Sequence, residues 1–253
     1  MKTLKYFFQA IIIYFCFGLS KLLGLKLSRS IFSFIFRKIG PLVRSNKVSQ
    51  NNLSKFSKKI SKKEINKITS GMWNNYGMTF IEYMFLKSFK EGSSHIKIKG
   101  EKILSKFNSN KNPVIFISGH FANFELMSME LTKRNINLAT IYRPLNNFFL
   151  NPLMESLRKK YICKNQIKKG RSGVKDCMNY IKRKHSIALM IDQRVSEGQK
   201  IKFFGHEAST TTLPAQLAIK YNLSIVPIFI ERKNDNSFEM HVYEPIKISN
   251  YEN

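Results

Sequence analysis

The sequence predicts an α/β protein in which a mostly buried mixed sheet is flanked by helices and preceded by an apolar N-terminal helix. Continuous apolar runs of strand length, such as Val114–Ser118, Leu138–Tyr142 and Ser186–Ile191, alternate with stretches of helical periodicity, the pattern of strands covered on both faces. A long apolar segment follows Lys2 and Lys5. The 253 residues, 43% of them hydrophobic, suffice for one sizeable α/β domain with its own core.

Tyr6 to Ser20 is an uncharged apolar run of 15 residues, interrupted by Lys21 and continued through Leu27. A spanning helix needs about 20 residues, a length reached at Leu25 if Lys21 snorkels. The segment fits a membrane anchor, a cleaved signal peptide with Gly18 and Ser20 near its end, or an interfacial or core helix. Ser30 to Ile39 is again apolar, with Arg37 and Lys38 at its flank, and Arg44 to Lys67 carries eight basic residues and one acid, Glu64. Basic residues just beyond an apolar helix form the positive-inside arrangement and favour an anionic leaflet by about 1 kcal/mol each. A solvated, Lys-rich helical connector has the same composition. The expected regions are an anchor over 1–27, a basic amphipathic helical region over 28–94 and an α/β core over 95–253.

Further along, Met72 to Ser88 reads as a helix, with Met72, Tyr76, Phe80, Tyr83 and Met84 on one stripe and Glu82 beside it. Ile96-Lys97-Ile98 is a short strand ended by Gly100. Strands are expected at 114–118, 138–142, 186–191, 200–204, 224–230 and 239–243, and helices at 123–133, 150–161, 174–184 and 213–221. The stretch Lys200 to Thr212, dense in hydroxyl residues from Ser209 to Thr212, also reads as a loop leading to a helix N-cap.

Forty-three Lys and Arg against 16 Asp and Glu give a net charge of +27. Such a surface attracts polyanions, although Lys-, Asn- and Ile-rich usage alone produces the same excess. None of the common nucleic-acid-binding motifs is present. The three cysteines, Cys16, Cys163 and Cys177, are odd in number and lack metal-knuckle spacing, so they read as reduced thiols. The five histidines lack metal-ligand spacing too.

In open α/β sheets functional groups collect at the carboxyl ends of strands. His120, Arg143 and Asp192 each follow a predicted strand. Gly119 precedes His120 and permits the backbone angles of a tight turn. Glu125 comes five residues later, where a carboxylate one helical turn away can hold the imidazole in one tautomer, making His120 a general base for a hydroxyl that attacks an ester or thioester. Helix capping by the same two residues is the plainer alternative. Gly-x-Ser-x-Gly is absent, so a covalent acyl-enzyme is not indicated. Arg143, Arg158, Arg171 and Arg194 are candidate anion binders.

Six blocks in order resemble one family, the lipid A late acyltransferases, the lauroyl/myristoyl acyltransferases of lipopolysaccharide biosynthesis. They are Trp73-Asn74-Asn75-Tyr76-Gly77-Met78-Thr79-Phe80-Ile81-Glu82-Tyr83; Ser118-Gly119-His120-Phe121-Ala122-Asn123-Phe124-Glu125; Tyr142-Arg143-Pro144-Leu145-Asn146-Asn147; Arg158 in the next helix; Asp192-Gln193; and Phe203-Phe204-Gly205 with Ala208 and Thr210 to Thr212. The resemblance implies a glycerolipid-acyltransferase-like sandwich and a single-pass or peripheral enzyme of the bacterial inner membrane, with its catalytic domain on the cytoplasmic face. The donor would be acyl carrier protein and the acceptor a hydroxyl of an anionic, Kdo-bearing lipid A precursor. His120 and Glu125 would be the catalytic dyad, supported by Arg158, Asp192, Arg143, Asn123 and Gln193, and no metal and no tightly bound cofactor is expected. Two departures stand out. Members of that family often extend further at the C-terminus, so the expectation is that the C-terminal helix is missing here or that this element is not needed, and Asn147-Phe148-Phe149 replaces the usual Asn-Pro. Other implied readings are an acyltransferase for another glycolipid, such as a phosphatidylinositol mannoside, or for a lysophospholipid, whose family typically shows His-x4-Asp. A basic, non-catalytic membrane-surface protein is the reading from a different class.

Overall fold

The computed structural model describes residues 2–57, 59–108, 113–196 and 198–247; the end of the region expected over 95–253 lies outside them from residue 248. The chain forms two compact units, Met1–Phe85 with Ile201–Ala208, and Leu86–Lys200 with Ser209–Asn253.

The first unit is built on helix α1 (Lys2–Val43), which runs past Leu27 and is broken once, at Gly24, where φ is 73° and ψ 168°. A break strands carbonyls that would accept from the next turn. The hydroxyl of Ser28 donates to the carbonyl of Ser20 at 3.1 Å, and both serines are fully buried. Helix α2 spans Lys47–Phe56 and α3 spans Lys62–Glu82. The sequence expectation placed the start of α3 ten residues late, because its first turns are Lys-rich and carry no apolar stripe. What starts the helix is a capping box in which Ser61 Oγ accepts from the Glu64 N–H and Glu64 accepts from the Ser61 N–H. Helices α1 and α3 pack through Phe80, whose ring centroid lies 5.0, 5.9 and 5.4 Å from those of Phe17, Phe32 and Phe36. Glu82, fully buried, accepts from Arg29 Nε at 2.6 Å. Trp73 Nε1 donates to Asn46 at 2.7 Å. The helix α1 is long and apolar enough to cross a membrane, with mean hydropathy 1.8 over its most apolar window. Its Phe15 and Leu22 are 70% and 86% exposed, which fits lipid contact.

The second unit is α/β. Its elements in order are α4 (Leu86–Glu91), β1 (Ile96–Lys99), α5 (Glu101–Leu104), β2 (Ile115–Ser118), α6 (Glu125–Lys133), β3 (Leu138–Tyr142), α7 (Asn151–Leu157), β4 (Asn165–Lys168), α8 (Arg171–Lys182) and β5 (Ser186–Met190). Residues Ile201–Ala208 of the first unit then supply most of the hairpin strands β6 (Gln199–Phe203) and β7 (His206–Thr210), and the second unit resumes with α9 (Leu213–Tyr221), β8 (Ile225–Arg232) and β9 (Phe238–Val242). The seven-stranded sheet has the order β1-β9-β8-β2-β5-β3-β4, and β6 pairs with β7 in a separate ribbon. Neighbours in the large sheet run parallel except β8 and β9, so the sheet is mixed. Its central strands are covered on both faces; Ile115, Phe116, Ile187 and Val226 are fully buried.

Two strands escaped the sequence reading. Asn165-Gln166-Ile167-Lys168 has a single apolar side chain, the buried Ile167, because β4 is an edge strand that offers only one position to the core. The stretch 206–210, part of the expected loop, forms β7, whose partner β6 is exposed throughout. A ribbon that buries neither face leaves no period-two apolar pattern to read.

Helix α6 is tied down by Glu130, which is 2% exposed. Its carboxylate meets Lys133 Nζ at 2.9 Å, Arg134 Nη1 at 2.7 Å and His95 Nε2 at 3.6 Å, the last an ion-pair rather than a hydrogen-bond distance. Burial raises the acid's pKa, but His95, Lys133 and Arg134 outweigh it and pull the value down to about 2 from its ordinary 4.5. A depressed carboxylate adds stability that is complete above its unfolded pKa and is lost as pH falls through its folded one. The unfolding midpoint should therefore fall between about pH 4.5 and 2 more steeply for wild type than for Glu130→Gln. Parallel curves for the two proteins would contradict this.

Candidate active site

The site lies at the carboxyl ends of β2, β5 and β3. Strands β2 and β5 are parallel, with Ser118 paired to Met190. Two residues beyond that pair on each strand stand His120 and Asp192, so the register brings them level across a sequence gap of 72 residues. The imidazole Nδ1 is 2.7 Å from Asp192 Oδ1, and the His120 backbone N–H donates to Oδ2 at 2.9 Å. One carboxylate thus holds both the ring and the main chain. An ionised carboxylate only accepts hydrogen bonds, so Nδ1 is the donor, and in the neutral imidazole the lone pair is then on Nε2. Gln193 Nε2 lies 3.4 Å from that atom. Burial works against ionisation of Asp192, but the hydrogen bonds and charge of His120 prevail and hold it below the usual aspartate range.

The turn that presents His120 is tight. The Phe121 N–H donates to the Gly119 carbonyl at 2.8 Å. A Cβ at Gly119 would come within 2.7 Å of the Phe121 ring, which would have to shift to make room. The positive φ expected of the glycine occurs instead at Ala122, at 44°, a conformation a non-glycine residue holds only when its surroundings enforce it. Phe121 packs on Phe229 at 4.8 Å and Phe124 meets the imidazole edge-on at 4.6 Å. Asn123, in the same turn, is 1% exposed, and α6 begins at Glu125 rather than at Asn123.

Glu125, expected beside the imidazole, forms its ion pair with Arg158. Arg158 Nε and Nη2 lie 2.8 and 2.7 Å from Glu125 Oε1. The carboxylate on His120 is that of Asp192, because adjacent parallel strands in register bring 120 and 192 level. Arg158 opens a single π-helical turn, Arg158–Ile162, in which the Cys163 N–H reaches back five residues to the Arg158 carbonyl at 3.0 Å. Such turns frequently mark functional sites. Tyr142 lies beneath the guanidinium, 5.8 Å from ring centroid to Cζ. Its hydroxyl donates to Glu155 at 2.6 Å; burial and the acidity of Glu155 both keep that phenol protonated.

These groups surround a cavity of about 400 Å³, a volume typical of small-molecule sites. His120, Glu125, Arg143, Arg158 and Gln193 line it, beside apolar walls that include Phe124, Met127, Leu189 and Leu213. Arg171 and Arg194 are exposed and are not among its lining residues.

A family model for bacterial lipid A biosynthesis acyltransferases matches residues 1–253, the whole chain. The chain belongs to that family. No curated protein sequence matches it significantly. As an acyltransferase of lipid A biosynthesis the protein requires an acyl donor and a lipid acceptor and works at a membrane, for which α1 is a fitting anchor.

The acyltransferase site also contains polar residues that the sequence did not single out. Ser128, Thr140, Gln166 and Lys169 line the cavity, and Glu155 holds Tyr142. Lys169 follows the unrecognised strand β4, which accounts for its omission. Thr140 and Ser128 were hidden inside an apolar strand and helix, where a lone polar residue at an otherwise buried position was the only signal to find.

Proposed function

We propose that this acyltransferase moves a fatty acyl chain from acyl carrier protein to a hydroxyl of a Kdo-bearing lipid A precursor, on the cytoplasmic face of the bacterial inner membrane. The catalytic unit would have a glycerolipid-acyltransferase-like sandwich. The observation that supports this most is the two-point grip of Asp192 on His120, which leaves Nε2 basic beside a cavity with apolar walls and cationic side chains. In this reading Nε2 takes the proton of the acceptor hydroxyl, and the oxygen attacks the thioester carbonyl carbon. Arg158, oriented by Glu125, stabilises the oxyanion that develops. The intermediate collapses by breaking the C–S bond, and the imidazolium returns its proton to the departing thiolate. No acyl-enzyme forms. The charge of +27 suits two anionic partners, the carrier protein and the phosphorylated precursor.

The test is incubation of the purified protein with acyl carrier protein thioesters and the Kdo-bearing tetra-acyl precursor, read by mass spectrometry. The expected product is the precursor carrying one additional acyl chain. Transfer only to a different glycolipid or to a lysophospholipid would refute the assignment of acceptor.

A further inference from the structure

The hairpin β6–β7 raises a question that acyl transfer does not answer. Its tip residues Phe203 and Phe204 are 64% and 56% exposed, as is 57% of Phe56 at the end of α2. These rings are not scattered. Phe203 lies 4.4 Å from Phe204, and Phe204 stands edge-on to Phe56 at 4.7 Å. Ile201, on the same strand face as Phe203 by the two-residue period, is 45% exposed. The turn between the strands is tight: Phe204 and Gly205 both have positive φ, 48° and 76°, the signature of a two-residue hairpin turn that matches strand twist. A hairpin tip of clustered aromatics facing water marks a surface meant to be covered.

The surrounding charges identify the cover. Lys200 and Lys202 alternate with Ile201 and Phe203 along β6, Lys55 precedes Phe56, and these lysines are exposed. Aromatic rings rimmed by lysine match the headgroup layer of a bilayer, where rings sit at the interface and ammonium groups meet anionic lipid. The tip and α2 belong to the same compact unit as the apolar α1. We propose that Phe56, Phe203 and Phe204 form a second lipid-contact element, separate from the N-terminal helix, that inserts into the interface of an anionic bilayer.

Two measurements on full-length protein test this without using activity. The chain has one tryptophan, Trp73, so the emission of wild type subtracted from that of Phe203→Trp isolates a reporter at the tip. On phosphatidylglycerol-containing vesicles the difference emission should shift to the blue and be quenched by lipids brominated near the carbonyl region. A water-like maximum with no bromolipid quenching would overturn the proposal, and equal quenching on purely phosphatidylcholine vesicles would overturn its anionic part. In wild type, the same vesicles should slow tryptic cleavage after Lys200 and Lys202 relative to detergent solution; undiminished cleavage would likewise refute insertion.

Discussion

Replacing His120 by Ala is expected to lower acyl transfer by about 10²–10⁴-fold, the usual range for removal of a positioned general base. Asp192→Asn should have an effect of the same order although it changes no volume. The carboxylate accepts from both Nδ1 and the His120 backbone N–H. An asparagine can accept only with its oxygen; if that oxygen keeps the backbone N–H, its NH₂ faces Nδ1, which must then give up its proton. The proton moves to Nε2 and the basic lone pair is lost. The hydrogen bonds and charge of His120 outweigh burial and hold Asp192 below the ordinary aspartate range, which favours the ionised carboxylate this arrangement needs. Rates for both variants, measured by product mass at saturating donor and acceptor with the thermal midpoint as a folding control, decide the matter. Wild-type turnover by well-folded His120→Ala protein would sink the mechanism.

The second large effect concerns Glu125 and Arg158. Each is about nine-tenths buried, with side-chain exposures of 10% and 12%, and two guanidinium nitrogens share one carboxylate oxygen. If Glu125 acts by aiming Arg158 at the developing oxyanion, Glu125→Gln and Arg158→Gln should each cost about 10²–10³-fold in kcat, the loss typical of one oxyanion-stabilising donor. The double variant should be scarcely worse than either single one, since residues that act as a unit are strongly non-additive. Additive losses would show that Glu125 has a role of its own. The effect should fall on kcat more than on KM, because the interaction strengthens only as negative charge develops.

Much of the catalytic unit was legible in the sequence because its central strands are buried on both faces and read as unbroken apolar runs. Strand β3 matches its expected limits of 138–142, and α9 its expected limits of 213–221. What escaped notice lacked a burial signal. Strand β4 offers one side chain to the core, β7 belongs to an exposed ribbon, and the π-helical turn at Arg158 depends on a hydrogen bond five residues long that no apolar periodicity encodes.

The candidate site divides along the same line. The sequence by itself determined that His120, Arg143 and Asp192 stand at strand ends, that an apolar helix opens the chain, and which family the ordered blocks resemble. Local spacing also suggested Glu125 as the partner of His120, since residues one helical turn apart can meet. Only the tertiary structure decided which carboxylate holds the imidazole. Strands β2 and β5 pair in parallel, with Ser118 opposite Met190, and that register sets Asp192 against both the ring and the backbone of His120 while Glu125 pairs with Arg158. Strand pairing is a long-range choice of the folded sheet, so a contact across 72 residues leaves no trace in the spacing of either partner's neighbours.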